Sequence, residues 1–343
     1  MSETDRDFIK NRVTEKGQTT LLAPRPPFPK NIMVELSNAC NHKCIFCSNP
    51  KMTREKGRVD PALLFQIMTE AYSLGSREIG FYTTGDPFIH KDLTQFVAKA
   101  KEMGYTYTYI STNGALATPE KIRDLVDAGI DSIKFSINAG TRETYKVVHG
   151  RDDWDIVIAN LKFISELRKT LDRPLRLGIT YVVLNQNQHE IDSFYSEMTD
   201  YVDDIYFSGC GVQGGYMLEN DGVLNSDIEP TVMQAPCNML FNRAHITCEG
   251  YLTLCCIDYQ NYLALCDLRE ISLIEAWHAP LFQQMRQRHI QKDLAGTLCH
   301  NCINQVITQI EPLREDLATL VDFQAQSNQN KETQRERLYD ILV

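Results

Sequence analysis

Three cysteines crowd one short stretch of this 343-residue chain. Cys40, Cys44 and Cys47 lie in the run Glu35-Leu-Ser-Asn-Ala-Cys-Asn-His-Lys-Cys-Ile-Phe-Cys, directly after an apolar segment. Three residues separate the first pair and two the second. That spacing can wrap three thiolates around one face of an iron–sulfur cube. A [4Fe–4S] cluster usually takes four cysteines, so a local trio leaves one iron open. Open positions on a metal centre are where chemistry happens, and closed sites are usually structural. A zinc knuckle borrowing a fourth ligand, or an ordinary electron-transfer cluster, is the competing use of the same thiols.

The elements around the trio are those of an α/β protein. Strand-like runs at 32–36, 78–82, 106–111, 132–137, 175–183 and 204–208 alternate with helix-like runs. The first helix opens at Asp60-Pro61, a good N-cap followed by a proline that fits the first helical position. Leu64, Ile67, Met68, Ala71 and Leu74 form its apolar stripe, and Gly75 ends it. Further helices are expected at 91–103, from Thr118-Pro119 to Gly129, at 153–169 and near 188–201. Six β-α units in a row predict a parallel sheet, because such strands need crossover helices. Six fall short of the eight in a closed barrel. The expectation is an open or partial barrel, with a doubly wound flat sheet as the alternative. The trio follows strand one and therefore sits at the C-terminal end of the sheet.

The texture then changes. A glycine-rich stretch at 209–236, with Gly222, Asn220 and Asn225, reads as a loop or substrate lid. Segments 243–248 and 251–256 read as a hairpin around Glu249-Gly250. Ser272 and Glu275 form a capping box opening a helix that runs to about His289. The polar stretch 324–337 reads as a flexible link to a last short helix. The expected division is an N-terminal extension 1–30, a core 31–210, a linker 211–236, a second module 237–302 and a helical tail 303–343.

Composition limits the partners. A net charge of -10 and a pI near 5.3 disfavour a generic nucleic-acid or anionic-membrane binder. The charged start Met-Ser-Glu-Thr-Asp-Arg-Asp is no signal peptide, and no run approaches ~18 apolar residues. The expectation is a cytoplasmic protein. Eleven cysteines in a reducing compartment point to metal or redox chemistry, and an odd count cannot all pair within the chain. His42, His90, His149 and His189 read as solvated or capping residues.

The Cys40-x3-Cys44-x2-Cys47 pattern, with Phe46 before its last cysteine, resembles the signature of the radical S-adenosylmethionine (SAM) superfamily. The resemblance implies a partial (β/α)6 barrel and two reactants held at the trio: a [4Fe–4S] cluster and SAM, bound to the open iron through its amino and carboxylate groups. It implies one-electron cleavage of SAM to a 5′-deoxyadenosyl radical, which removes a hydrogen atom from substrate. Thr83-Thr84-Gly85-Asp86-Pro87 is similar to the family's Gly-Gly-Glu segment, which holds the methionine amino group. Thr84 replaces the first Gly and Asp86 replaces Glu, so backbone carbonyls could serve there in place of the Asp86 side chain. By the same analogy Ser111, Asn113, Ser136 and Asn138 face the SAM ribose and carboxylate, and Phe46 lies against the adenine. Each also has a plain structural use at a strand end, in a turn or in the core.

A second set resembles the SPASM/twitch auxiliary module: Cys237 in Ala-Pro-Cys, Gly250-x4-Cys255 and Cys299-x2-Cys302. No cysteine follows Cys302, which matches the shorter twitch form. The resemblance implies that Cys237, Cys255, Cys299 and Cys302 close a second [4Fe–4S] cluster, with a structural zinc as the alternative. Cys256 is expected on the opposite side of its strand, and Cys248 and Cys266 as buried small hydrophobes.

The implied activity is dehydrogenation, or epimerisation, of a sugar- or aminocyclitol-type alcohol, fed by a flavodoxin- or ferredoxin-type electron donor. Cys210 could return a hydrogen atom, as in radical epimerases, or be a buried thiol without a role. Only about 30 residues precede strand one, which disfavours a separate peptide-recognition domain. The alternatives are a peptide- or protein-modifying enzyme and a non-catalytic iron–sulfur or zinc protein.

Overall fold

A computed structural model describes residues 20–215 and 234–321. The glycine-rich residues Asn220, Gly222 and Asn225 and the polar tail 324–337 lie outside the described residues.

Six parallel strands form in the expected order. They are β1 (Asn31–Val34), β2 (Glu78–Gly80), β3 (Tyr107–Thr112), β4 (Ser132–Ser136), β5 (Arg176–Val183) and β6 (Asp204–Gly209). Each pairs with the next, so each connection is a crossover that runs back along the sheet. The result is the expected α/β partial barrel. Three more strands follow on the other side of β1: β7 (Arg243–Ile246), β8 (Tyr251–Thr253) and β9 (Ala264–Asp267). The β7–β8 hairpin was expected; the parallel pairing of β7 with β1 was not. The second module thus continues the same sheet.

The two faces of the sheet differ. Ile32, Val34, Ile79, Ile110, Ile133 and Phe135 point to one side and join a single core with Leu64, Phe96, Val97 and Leu161 of the helices. Strand alternation sends Asn31, Tyr109, Ser111, Lys134, Ser136 and Thr180 to the other side. That inner face is polar and aromatic, unlike the all-apolar strands of a sheet covered on both sides.

Local chemistry explains the helices. Asp60 and Thr118 accept from the backbone N–H groups of Leu63 and Lys121, each followed by a proline. One helix, Arg142–His149, was not foreseen. Its signals were present: Thr141 caps it through Thr144 N, and Gly150 ends it in the left-handed region. The single helix expected from Ser272 to His289 is two, Leu273–Trp277 and Pro280–Gln291. Pro280 lacks an N–H and clashes with a preceding turn, so it starts a helix and does not continue one. Among the described residues, no helix is long and apolar enough to cross a membrane.

Candidate active site and auxiliary metal centre

The trio loop leaves β1 at the C-terminal end of the sheet and is held by its neighbours. Lys43 N and Ile45 N donate to the carbonyls of His149 and Val148, at 3.2 and 2.9 Å. The Thr84–Asp86 turn lies directly on the loop. A Cβ at Gly85 would sit 2.3 Å from Ser37 O and 2.4 Å from Ala39 O, so only glycine fits. Asp86 N donates to Ala39 O at 3.0 Å. The Asn49 amide ties both together, donating to Asn38 O at 2.8 Å and Thr84 O at 2.7 Å.

All three thiols are free. Burial pushes Cys40 up to about 12 and raises Cys44 and Cys47 as well, with their mutual repulsion adding to Cys40 and Cys44. Three adjacent thiolates in such a place need a cation, and a bound metal supplies it by displacing their protons. The donor set fits an iron–sulfur cluster in a second way. Each sulfur faces a hydrogen-bond donor: Asn113 Nδ2 at 3.7 Å from Cys40, His149 Nδ1 at 3.4 Å from Cys44, and Tyr259 Oη at 3.6 Å and Asn49 N at 3.4 Å from Cys47.

The His149 tautomer follows from its surroundings. The backbone N–H of Asn138 donates to Nε2 at 3.2 Å, so Nε2 must carry the lone pair. Burial, then the neighbouring His42, hold the ring well below its usual range and keep it neutral. Its one proton is therefore on Nδ1 and points at Cys44 Sγ. His149, His42 and His90 are 0%, 2% and 4% exposed, so none of the three is solvated; the capping alternative holds for His90, which closes the turn Pro87–Ile89 and accepts from Asp92 N at 3.2 Å. His149 closes a helix as a capping residue would, yet that helix packs its end beneath the trio.

The second cysteine set surrounds a cavity of about 190 Å³. Cys237 precedes the short helix Met239–Asn242, Cys255 and Cys256 follow β8, and Cys299 and Cys302 share one face of the helix Leu298–Asn304. Leu240, Ile257 and Leu298 complete an apolar wall. Cys256 lines this cavity too, against expectation. The strand ends at Thr253, so the alternation rule no longer governs residues 255 and 256. Burial pushes Cys237 up to about 12. Cys256 is instead held low, first by a hydrogen bond from Cys255. Cys248 and Cys266 are buried, as expected.

A family model of the radical SAM superfamily matches residues 34–198, and one of an iron–sulfur cluster-binding domain, SPASM, matches 237–303. The chain belongs to the radical SAM superfamily. Its two domains imply SAM and two iron–sulfur clusters as cofactors. Solved structures share the fold. BtrN in complex with AdoMet and 2-DOIA is 21% identical, with a TM-score of 0.55, over 83% of this chain and 97% of that one. Streptococcus suis SuiB bound to precursor peptide SuiA is 17% identical, with a TM-score of 0.59, over 81% and 70%. Native anSMEcpe with bound AdoMet is 13% identical, with a TM-score of 0.59, over 91% and 99%.

Within this radical SAM barrel the remaining expected residues fall into two groups. Asn113 stands beside Cys40, and Ser111 and Ser136 lie on the inner face. Phe46 packs with Val148, Leu184 and Cys210 against Cys44 and Cys47. Cys210 is 4% exposed, and burial pushes it up to about 12. The other group is used internally. The Thr84 hydroxyl donates to Glu35. The Asp86 carboxylate accepts from Phe88 N at 3.0 Å, Thr112 Oγ1 at 2.7 Å and Asn113 N at 2.9 Å. Asn138 is fully buried; its Oδ1 accepts from Val182 N at 2.6 Å and its Nδ2 donates to Ser136 Oγ at 3.3 Å, bracing β4 against β5.

Proposed function

We propose that this radical SAM enzyme oxidises an alcohol of a small polar substrate, of the sugar or aminocyclitol type. The observation that carries the reading is the second cysteine ring. Five thiols from three chain segments enclose one cavity, enough to close a cube and leave no iron for a substrate. When loaded, the two centres would supply one-electron chemistry: SAM cleavage with hydrogen-atom abstraction at the first and uptake of a second electron at the other, so that an alcohol, its hydroxyl proton passing to solvent, leaves as a ketone. The polar inner face of the sheet supports a hydroxylated substrate.

Cys40, Cys44 and Cys47 hold the first cluster, and Cys237, Cys255, Cys299 and Cys302 the second. The backbone of Thr84–Asp86 receives the SAM amino group, because the Asp86 carboxylate is already taken by three protein donors. Asn113, Ser111 and Ser136 face the ribose and carboxylate, and Phe46 the adenine. Asn138 braces the site from behind. Cys210, beside Phe46, is the thiol positioned to return a hydrogen atom should the net reaction be epimerisation. A flavodoxin- or ferredoxin-type donor and a cytoplasmic location suit eleven free thiols. BtrN was solved with 2-DOIA and SuiB with a peptide, so the fold admits both substrate kinds; the hydroxyl-rich inner face favours the first.

The test is anaerobic. Reconstituted, reduced enzyme should convert SAM to 5′-deoxyadenosine, and Cys44→Ala should abolish it. Deuterium should pass from a labelled polyol into 5′-deoxyadenosine. Transfer from a peptide and from no polyol would replace this reading by the peptide-modifying one.

A further inference from the structure

The inner face of β7 carries a guanidinium with few hydrogen-bond partners among the described residues. Arg243 is the first residue of β7 and lies opposite Asn31 of β1. The Asn31 amide donates to Glu78 at 2.8 Å, and its oxygen accepts from the Tyr109 hydroxyl at 2.8 Å. Neighbours in register on parallel strands point the same way, so Arg243 shares this inner face. Among the described residues its guanidinium meets one acceptor, the Met33 sulfur, 3.9 Å from Nη1. A thioether is a weak acceptor. Its buried Nε has no partner. No carboxylate oxygen of the described residues comes within 4.0 Å of it.

His245 stands two residues on, on the same face. It is 0% exposed, its ring nitrogens make no well-formed hydrogen bond among the described residues, and the ring lies against the Cys256 thiol. Buried charges and buried polar groups are normally paired, because leaving them unpaired is costly. Among the described residues, the buried Arg243 Nε without a partner, with His245 beside it on the same face, marks a place that an anion can fill.

We propose that Arg243 and His245 form an oxyanion subsite for the substrate, taking a phosphate or carboxylate group. The guanidinium offers a fork of N–H donors matched to either group, and the imidazole adds an N–H donor. The location is specific. Arg243 begins β7 at the end of the sheet away from the trio, where burial opposes its charge and Tyr109, Tyr82, Cys256 of the auxiliary cavity and the more distant Glu78 favour it. An anion held there anchors one end of the substrate on the inner face, on the side of the auxiliary cavity. This assignment rests on the proposed oxidation of a small polar substrate and names its charge class.

Binding is measured without turnover, on anaerobically reconstituted full-length enzyme saturated with SAM and given no reductant. SAM fills its own site, so its carboxylate cannot be mistaken for the ligand. Inorganic phosphate is followed by phosphorus NMR line broadening, with acetate as competitor. Saturable phosphate binding is expected, weakened at least tenfold in Arg243→Gln and less in Arg243→Lys. Acetate displacing phosphate at equal concentration would assign the subsite to carboxylates, and no displacement to phosphates. Neither anion binding, or binding unchanged in Arg243→Gln, overturns the proposal. Should Arg243→Gln fail to fold, phenylglyoxal labelling of the wild type decides: either anion must protect Arg243, and protection by neither overturns the proposal. Wild-type formation of 5′-deoxyadenosine is scored separately, so loss of the subsite leaves the radical reaction standing, and the reverse.

Discussion

The two cysteine centres are built in opposite ways. The trio comes from one loop, and the surrounding protein touches each sulfur with a polar donor: Asn113, His149, and Tyr259 with Asn49. The auxiliary ring gathers its thiols from three separate segments around an apolar cavity. The first arrangement is local in sequence and tuned by its neighbours. The second exists only after the module has folded, so metal and fold stabilise each other. A centre that must fire at low potential is served by adjustable hydrogen bonds, whereas a closed centre is served by enclosure.

This contrast can be broken most severely at the ring. Cys299→Ala should lower bound iron from about eight to about four per chain and reduce Tm by at least about 5 °C, while 5′-deoxyadenosine formation persists. Full retention of iron and Tm would mean that the ring is as local as the trio.

A smaller effect tests the bridge between the regions. Arg54 donates to Glu35 at 2.6 Å, before the trio, and to Glu249 at 2.7 Å in the second module. Arg54→Met strands Glu35 as a buried charge and should destabilise the chain by about 3–5 kcal/mol in denaturant titrations. The pH response has a defined sign. Burial alone would raise the Glu35 carboxyl, but Arg54, the Thr84 hydroxyl and the Cys248 N–H hold it below 4.5. Its contribution is then complete above pH 4.5 and lost as pH falls through the folded-state value. Metal-free wild type should show that loss, and Arg54→Met should not. The smallest effect tests the tuning. His149→Leu removes the donor to Cys44, a bond to a charged group worth about 1.5 kcal/mol or more. The trio's cluster should reduce at a more negative potential, and SAM cleavage should slow roughly tenfold. An unchanged potential would deny the tuning role.

Much of the frame could be read from the chain. Six periodic strand–helix units, the Asp60-Pro61 and Thr118-Pro119 starts and the cysteine spacings are local signals, and they fall where expected. What escaped was tertiary. His149 does stand at a helix end, but its burial has no local mark, because it depends on where the helix Arg142–His149 packs, between β4 and the longer helix Trp154–Leu167. Cys256 was placed by strand alternation past the point where the strand stops. The β7–β1 pairing has no local mark, since a short apolar strand does not declare its partner. Arg243 and His245 did show alternation, but only that pairing gives their shared side a meaning.

That same pairing orders events during biosynthesis. β1 carries the trio, yet one of its two edges stays bare until residues 243–246 emerge from the ribosome. At about 5–20 residues per second, that is a wait of at least ten seconds or so. Until then the edge is an unpaired template open to other strands, next to three thiols without their metal. The first element of the sheet is also the one completed late, and cluster delivery before that moment would reach a half-built site.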